Sequence, residues 1–321
     1  MFSKSYCIIL LSLIFLTTKG YSQIPISQIL GKADQQRQIY EETFKNIFAE
    51  ERKTFQTFDK NGGLKQMQQV ESNFLVYQSN KNAEVITEYR NVTKFDGKKL
   101  LPDETNSEKF FKDLLQSNSV NEELTKIKFQ SSKYDGDLMV SDLTLRQTPV
   151  LAEHIRPYFD FKIIGFENNQ YLIQYQQIRK SPFVLVNDSE STETRLTMDF
   201  GVALPKSFRE TNARVRGKLW IDAKTFQICR EERELTIQPE NTPNPLVVFQ
   251  VDFEFGKENL AIMVPKKITL VSYLLKLQKK NLIAVKDAEL NFEYSDFSSL
   301  DVNVKSSGML EPVIIKKKPK N

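Results

Sequence analysis

Catalytic and metal-binding side chains are scarce in this chain. His154 is the sole histidine in 321 residues, and Cys7 and Cys229 are the only cysteines. A Ser-His-Asp or Cys-His arrangement would have to run through His154, whose setting LAEHIRPYF has no GxSxG-type nucleophile turn near it. Glu153 makes no dyad with it by adjacency alone. HExxH, CxxC, EF-hand, P-loop and GxGxxG patterns are missing as well, which removes the common zinc, calcium, nucleotide and dinucleotide chemistries. No catalytic residue, metal ligand or cofactor is assigned, and an enzyme is the disfavoured class. Paired carboxylates stay open, because spatial separation rather than sequence spacing sets them.

Long apolar runs are missing too. The longest, Ile8 to Leu16, falls short of the roughly 18 residues a spanning helix needs. With Lys4 before it and Gly20 and Ser22 after it, residues 1–22 read as a secretory signal peptide cleaved before Gln23. Cys7 precedes the apolar run and so is not the acylated cysteine of a lipoprotein. Its removal leaves Cys229 alone and forbids an intrachain disulfide; on an apolar strand without a His or CxxC partner, Cys229 reads as a small buried hydrophobe.

The formal charge is +4, and Lys4, Lys19 and the terminal Lys316, Lys317, Lys318 and Lys320 account for it, so the body is close to neutral. Basic residues are interspersed with acids, and no nucleic-acid-binding pattern occurs. Residues 306–321 read as a solvated basic tail, with contact to anionic lipid or a polyanion as the alternative. Residues 23–305 are expected to form a single domain.

What the chain does have is strand periodicity. Arg214 to Ile237 reads as a long hairpin. Val215, Gly217, Leu219 and Ile221 share one face, Asp222 to Thr225 turn the chain, and Phe226, Ile228 and Arg230 begin the return. Leu64 to Gln78 and Glu84 to Leu100 read as strands, the second with a tight Asp96-Gly97 turn. Strands are also expected from Tyr158 to Phe166 and Tyr171 to Tyr175 about Asn168-Asn169, from Ser181 to Val186, from Val247 to Phe255, from Pro265 to Leu277 and from Leu282 to Tyr294. Pro265-Lys266-Lys267 has the composition of a protected edge. Asn187 to Asp199 reads as an exposed loop, and Pro239 to Pro245 as another.

Helices are fewer. Ile39, Tyr40, Phe44, Ile47, Phe48 and Phe55 recur at helical spacing, which predicts one amphipathic helix from Ala33 to Phe58, ended by Asn61-Gly62-Gly63. Thr105-x-x-Glu108 and Ser119-x-x-Glu122 are capping-box patterns opening two short helices. Sequential hairpins with few helices argue for an α+β fold.

The segments ERKTFQ from Glu51, FLVY from Phe74, EYRNV with DGK from Glu88 to Lys98, SPFVL from Ser181, GKLWIDAKTFQI from Gly217 and AELNFEYSDF from Ala288 together resemble a set of exported bacterial proteins of unassigned function. The G-x-x-W-I-D-x-x-T hairpin in turn resembles the periplasmic lipoprotein carriers and receptors LolA and LolB and the stress regulator RseB. That resemblance implies an incomplete antiparallel β-barrel, a half barrel capped by helices, in an exported protein of the Gram-negative periplasm or the extracellular space. The carriers use a cavity arginine in gating; Arg90, Arg146 and Arg179 are open candidates for it.

On this reading the leading function is binding of an apolar or lipid-like ligand, a lipid or lipoprotein acyl chain, by a soluble envelope protein. Phe44, Phe48, Phe159, Phe161, Trp220, Phe249 and Phe253 are the expected ligand face or lid. The plain alternative for each is core packing. The alternative function is an envelope protein-protein interaction or stress-sensing module with no small ligand.

Overall fold

The structure is a computed structural model that describes residues 24–45, 47–79, 81–82, 84–101, 107–134, 144–145, 147–179, 212–238, 244–278 and 281–299. The signal segment, the basic tail, the strand from Ser181, the loop from Asn187, Arg146 and the Thr105 cap lie outside them. Helix α1 (Ile26–Phe44) leads into strands β1 (Ile47–Phe58), β2 (Leu64–Gln78), β3 (Ile86–Phe95) and β4 (Lys98–Lys99). Helices α2 (Ser107–Leu115) and α3 (Val120–Ser131) follow, then short 3-10 turns at Pro149–Leu151 and Arg156–Tyr158. The chain continues through β5 (Phe159–Glu167), β6 (Gln170–Gln177), β7 (Asn212–Asp222), β8 (Ile228–Gln238), β9 (Leu246–Lys257), β10 (Met263–Gln278) and β11 (Asn281–Ser299).

All eleven strands form one antiparallel sheet in the order β4-β3-β2-β1-β11-β10-β9-β8-β7-β6-β5. Every neighbouring pair but one is consecutive in the chain. The exception is β1 with β11, where Glu51 faces Tyr294 and Phe55 faces Leu290. That single long-range pairing welds an N-terminal meander to a C-terminal one, and β4 and β5 remain as edges. The result is an open half barrel.

The helix expected from Ala33 to Phe58 is corrected by this arrangement: α1 ends at Phe44, and Ile47 to Phe58 is the strand β1. Its aromatic and β-branched residues suit a strand. Two of its inward positions, however, are the buried Glu51 and Lys53, which hide the period of two, so that Phe44, Phe48 and Phe55 fall on helical offsets by coincidence. The edge reading of Pro265 is corrected as well. It lies on β10, inside the sheet, at a register shift opposite Phe255, where a missing N–H is tolerated.

Turns behave as their residues require. Asp96 and Gly97 have φ of 47° and 75°, and Asn168 and Asn169 have 50° and 61°, the paired positive values of hairpin turns whose twist matches the strands. Asp222 Oδ1 accepts from the Thr225 and Lys224 amides at 2.7 and 3.0 Å and so folds the β7–β8 turn. Phe226 is in that turn at φ 59° rather than on the returning strand, which starts at Ile228. On β9, a register shift opposite Leu235 and Thr236 turns Val248 as well as Phe249 into the core.

One face of the sheet carries the main core. It runs from Phe74 on β2 through Phe292 on β11, Ile268 on β10 and Phe249 on β9 to Ile173 on β6 and Phe159 on β5. Helix α1 lies on it with Ile29, Ala33, Tyr40 and Phe44 buried, packing against β5, β8 and the strap that contains the first 3-10 turn. Among the described residues the second face is covered at one end, where Phe110 and Phe111 of α2 and Ile127 of α3 meet Phe48, Leu75, Tyr77 and Tyr89. Ser119 caps α3 by accepting from the Glu122 amide at 3.2 Å, and Glu122 accepts in return from the Asn118 amide at 2.8 Å. Ser131 of α3 accepts from the Arg90 amide at 3.1 Å, which occupies a donor of β3 where β4 is too short to pair with it.

Gly217 on β7 has a packing role. A Cβ there would lie 2.1 Å from the Glu232 carbonyl oxygen and 2.4 Å from the Tyr175 hydroxyl. Gly217→Ala is expected to cost about 1–3 kcal/mol, by displacing Tyr175 or opening the β7–β8 pair. An unchanged denaturation midpoint would show that Tyr175 does not cross β7 at this point.

Candidate functional site

The covered face combines an aromatic lining with two buried charge clusters, both tied to the same strap. On β8, Glu231 and Arg233 are 1% exposed, two residues apart and therefore on one face. Arg233 Nε and Nη2 donate to the two Glu231 oxygens at 2.9 and 2.8 Å, a bidentate pair. The remaining capacity of the carboxylate is filled by Tyr175 Oη at 2.8 Å and Thr148 Oγ1 at 2.9 Å. Burial, and then the Glu231 charge, pushes the Tyr175 hydroxyl well above its ordinary pKa, so it stays a donor. Burial alone would lower the Arg233 guanidinium; Glu231 outweighs it and raises it.

The second cluster lies across β1, β3 and β11. Arg90 Nε donates to both Glu51 oxygens at 2.8 and 2.9 Å, and its Nη2 to Glu88 at 2.8 Å. Thr144 gives its amide and its hydroxyl to the other Glu88 oxygen, both at 2.6 Å. The guanidinium lies 5.4 Å from the Phe74 ring and 5.6 Å from the Phe292 ring, and Lys53 brings a further positive charge to the same face at 3% exposure. Desolvation opposes the charge on Arg90, but Glu51 and Glu88 more than offset it and its pKa rises.

Thr144 and Thr148 thus fasten one irregular segment to two buried carboxylates on distant strands. Tyr40 of α1 donates to the Thr144 carbonyl at 2.8 Å, and Arg156 reaches Asp34 of α1 at 3.4 Å, so helix and strap form one cover. Thr148 has φ 43°, an unfavourable region for a β-branched residue that costs roughly 1–3 kcal/mol unless its surroundings hold it. The bond to Glu231 is what holds it.

Five of the seven aromatic residues named from sequence share this face: Phe44, Phe159, Phe249 and Phe253 are buried in its core and Phe161 packs against it. Phe48 belongs to the separate cluster under α2 and α3, on the opposite face of the sheet. Trp220 alternates with the buried Leu219 and Ile221 and carries Arg230 over its ring at 4.8 Å, on the outer face among the Arg216–Glu234 and Lys218–Glu232 pairs. Of the candidate gating arginines, Arg90 is buried at the site, whereas Arg179 is exposed over Tyr158 at 4.8 Å. Sequence reasoning missed Glu51, Glu88, Glu231, Arg233 and the two threonines. A signal was present: Glu88-x-Arg90 and Glu231-x-Arg233 place opposite charges at inward strand positions.

His154 is exposed in the turn beyond the strap. Burial raises the Cys229 thiol pKa, which disfavours the reactive thiolate. Among the described residues no group of three His, Cys, Asp or Glu side chains is placed to hold a metal ion, and no helix is long and apolar enough to cross a membrane.

No family model matches the chain, and no curated protein does. Among solved structures it is similar to a DUF1329 family protein from Desulfovibrio piger, at 11% identity and a TM-score of 0.31 over 87% of this chain and 95% of that one. It is also similar to a LolA superfamily protein from Nitrosomonas europaea, at 11% identity and a TM-score of 0.32 over 85% and 92%. A third is a lipoprotein-sorting domain from Vibrio parahaemolyticus, at 9% identity and a TM-score of 0.32 over 86% and 93%. These chains align along nearly their whole length but superpose loosely, so the half-barrel architecture rests on the strand order of this protein itself.

Proposed function

We propose that this chain is an exported, soluble cell-envelope protein that binds an apolar or lipid-like ligand, an acyl chain of a lipid or lipoprotein, against the covered face of its sheet. One observation carries the reading. A Phe- and Tyr-lined sheet face is covered by a helix and an irregular strap held to it by side-chain hydrogen bonds, not by strand pairing. Such a cover can move without dismantling the sheet, whose backbone bonds are complete without it.

Native mass spectrometry of protein produced with its leader, followed by solvent extraction, tests this, together with titration of a fluorescent fatty acid. A stoichiometric acyl adduct is expected. Phe161→Ser, at a half-buried position against Tyr175, is expected to weaken fatty-acid binding at least tenfold while costing about 1–2 kcal/mol of stability. A bare mass with no fatty-acid binding would reject the ligand and favour a protein-interaction module. Losses of binding and stability in equal measure would make the face plain core.

A further inference from the structure

The sheet does not end evenly. Pairing of β10 with β9 stops at Ser272 and Phe249, and pairing of β11 with β1 stops at Ala288 and Thr57. From Tyr273 to Lys286, β10 and β11 pair among the described residues only with each other. On the same end, β2 pairs with β3 only from Val70 onward and Gln69 bonds to Asp96 of the β3–β4 turn, so among the described residues Leu64 to Gln68 pair with β1 alone. Two hairpin tips therefore stand side by side at this end, that of β10–β11 projecting beyond its neighbours and that of β1–β2 with the start of β2 open on its outer side. An isolated two-stranded ribbon is marginal in water unless an apolar face is covered.

These arms are apolar where a solvated ribbon would be polar. Leu64 is 56% exposed, Met67 58%, Leu274 45% and Leu277 65%. Lysines surround them: Lys60 and Lys65 on one arm, Lys276 on the other, and Lys98 and Lys99 on the recessed β3–β4 turn at the same end. The nearby acids are largely engaged. Asp59 accepts from the Asn61 and Gly63 amides of its own turn at 2.7 and 2.9 Å, and Glu289 is paired with Lys286. Ile164 and Phe166, exposed on the β5 edge, differ in setting: they lie among the exposed Asp160, Lys162 and Glu167, of mixed sign.

We infer that this end of the sheet docks on an anionic phospholipid surface, with Leu64, Met67, Leu274 and Leu277 entering the headgroup region and the lysines facing lipid phosphates. The pairing of exposed apolar tips with a rim in which lysines outnumber acids selects that occupant. An apolar side chain gains by leaving water, and each lysine near an anionic surface strengthens binding about fivefold. The inference is independent of the ligand reading, since docking uses the arm tips and not the covered face.

Sedimentation of the full chain with vesicles of phosphatidylethanolamine plus phosphatidylglycerol, against vesicles of phosphatidylcholine alone, tests it. Binding is expected to the first and to fall at least tenfold on the second and with rising salt. Leu64→Asp with Leu277→Asp, both at exposed positions, is expected to lower binding at least tenfold without changing the denaturation midpoint. Lys60→Gln, Lys65→Gln, Lys98→Gln and Lys99→Gln combined should lower it more than a hundredfold. Absence of vesicle binding by the unaltered chain, or binding unaffected by both sets because the basic C-terminal tail supplies it, would overturn the inference. So would a dimer in solution that the leucine substitutions convert to monomer, since the arms would then bind a second copy.

Discussion

Replacing Arg90 with methionine is expected to remove about 3–5 kcal/mol of stability at neutral pH, because it leaves Glu51 and Glu88 buried without the guanidinium that both accept from. Methionine fills much of the same space between Phe74 and Phe292, so lost packing is the smaller part. The sign of the pH dependence separates the charge effect from packing. Buried carboxylates without a counter-charge acquire folded pKa values above their unfolded values near 4.3. A carboxyl with a raised folded value binds protons more readily in the native state, so the variant should gain stability as pH falls from 7 through those raised values. Urea unfolding at pH 7 and pH 5 reads this directly. A deficit relative to the unaltered protein that stays the same at both values would mean that Glu51 and Glu88 are stabilised by other partners, Lys53 foremost.

The companion substitution, Glu231→Ala, is also expected to cost about 3–5 kcal/mol, leaving Arg233 charged in the interior and Tyr175 and Thr148 without their acceptor. Because a buried ion pair is weak evidence of net stabilisation, the double replacement Glu231→Leu with Arg233→Met should recover most of that loss. The strap should not recover. Thr148 would still lack its tie, and amide exchange from Thr148 to Ala152 is expected to stay fast in the double variant while the sheet regains its protection. Slow exchange there would mean that apolar burial of Val150 and Leu151 is enough to hold the strap, and the Glu231 bond would lose its role in the cover.

The hairpins were legible from the residues alone. Asp96-Gly97, Asn168-Asn169 and Asp222 announce their turns because positive φ and side-chain acceptance are properties of those residues wherever the chain places them. The alternation from Val247 to Phe255 located β9, although the register shift that buries Val248 depends on its partner strand. The aromatic face was legible in part. Phe159, Phe161, Phe249 and Phe253 lie on strands whose period is plain, whereas Phe48 and Trp220 were assigned to that face without knowledge of which side of the sheet was covered.

Composition and local pattern by themselves determined that this is a strand-rich α+β chain without the usual catalytic motifs, built from sequential antiparallel hairpins. Those properties depend on residues that are neighbours in the chain. Only the tertiary structure decided that β1 is a strand and that it joins the two meanders. The inward Glu51 is acceptable there because Arg90, 39 residues on, supplies its counter-charge. Likewise the Glu231–Arg233 pair could be placed on one strand face from its spacing, but its burial depends on Thr148, 83 residues away. An apolar residue needs only water to be excluded, which a periodic pattern foretells. A buried charge needs a particular partner in a particular place, and that partner is brought by the fold.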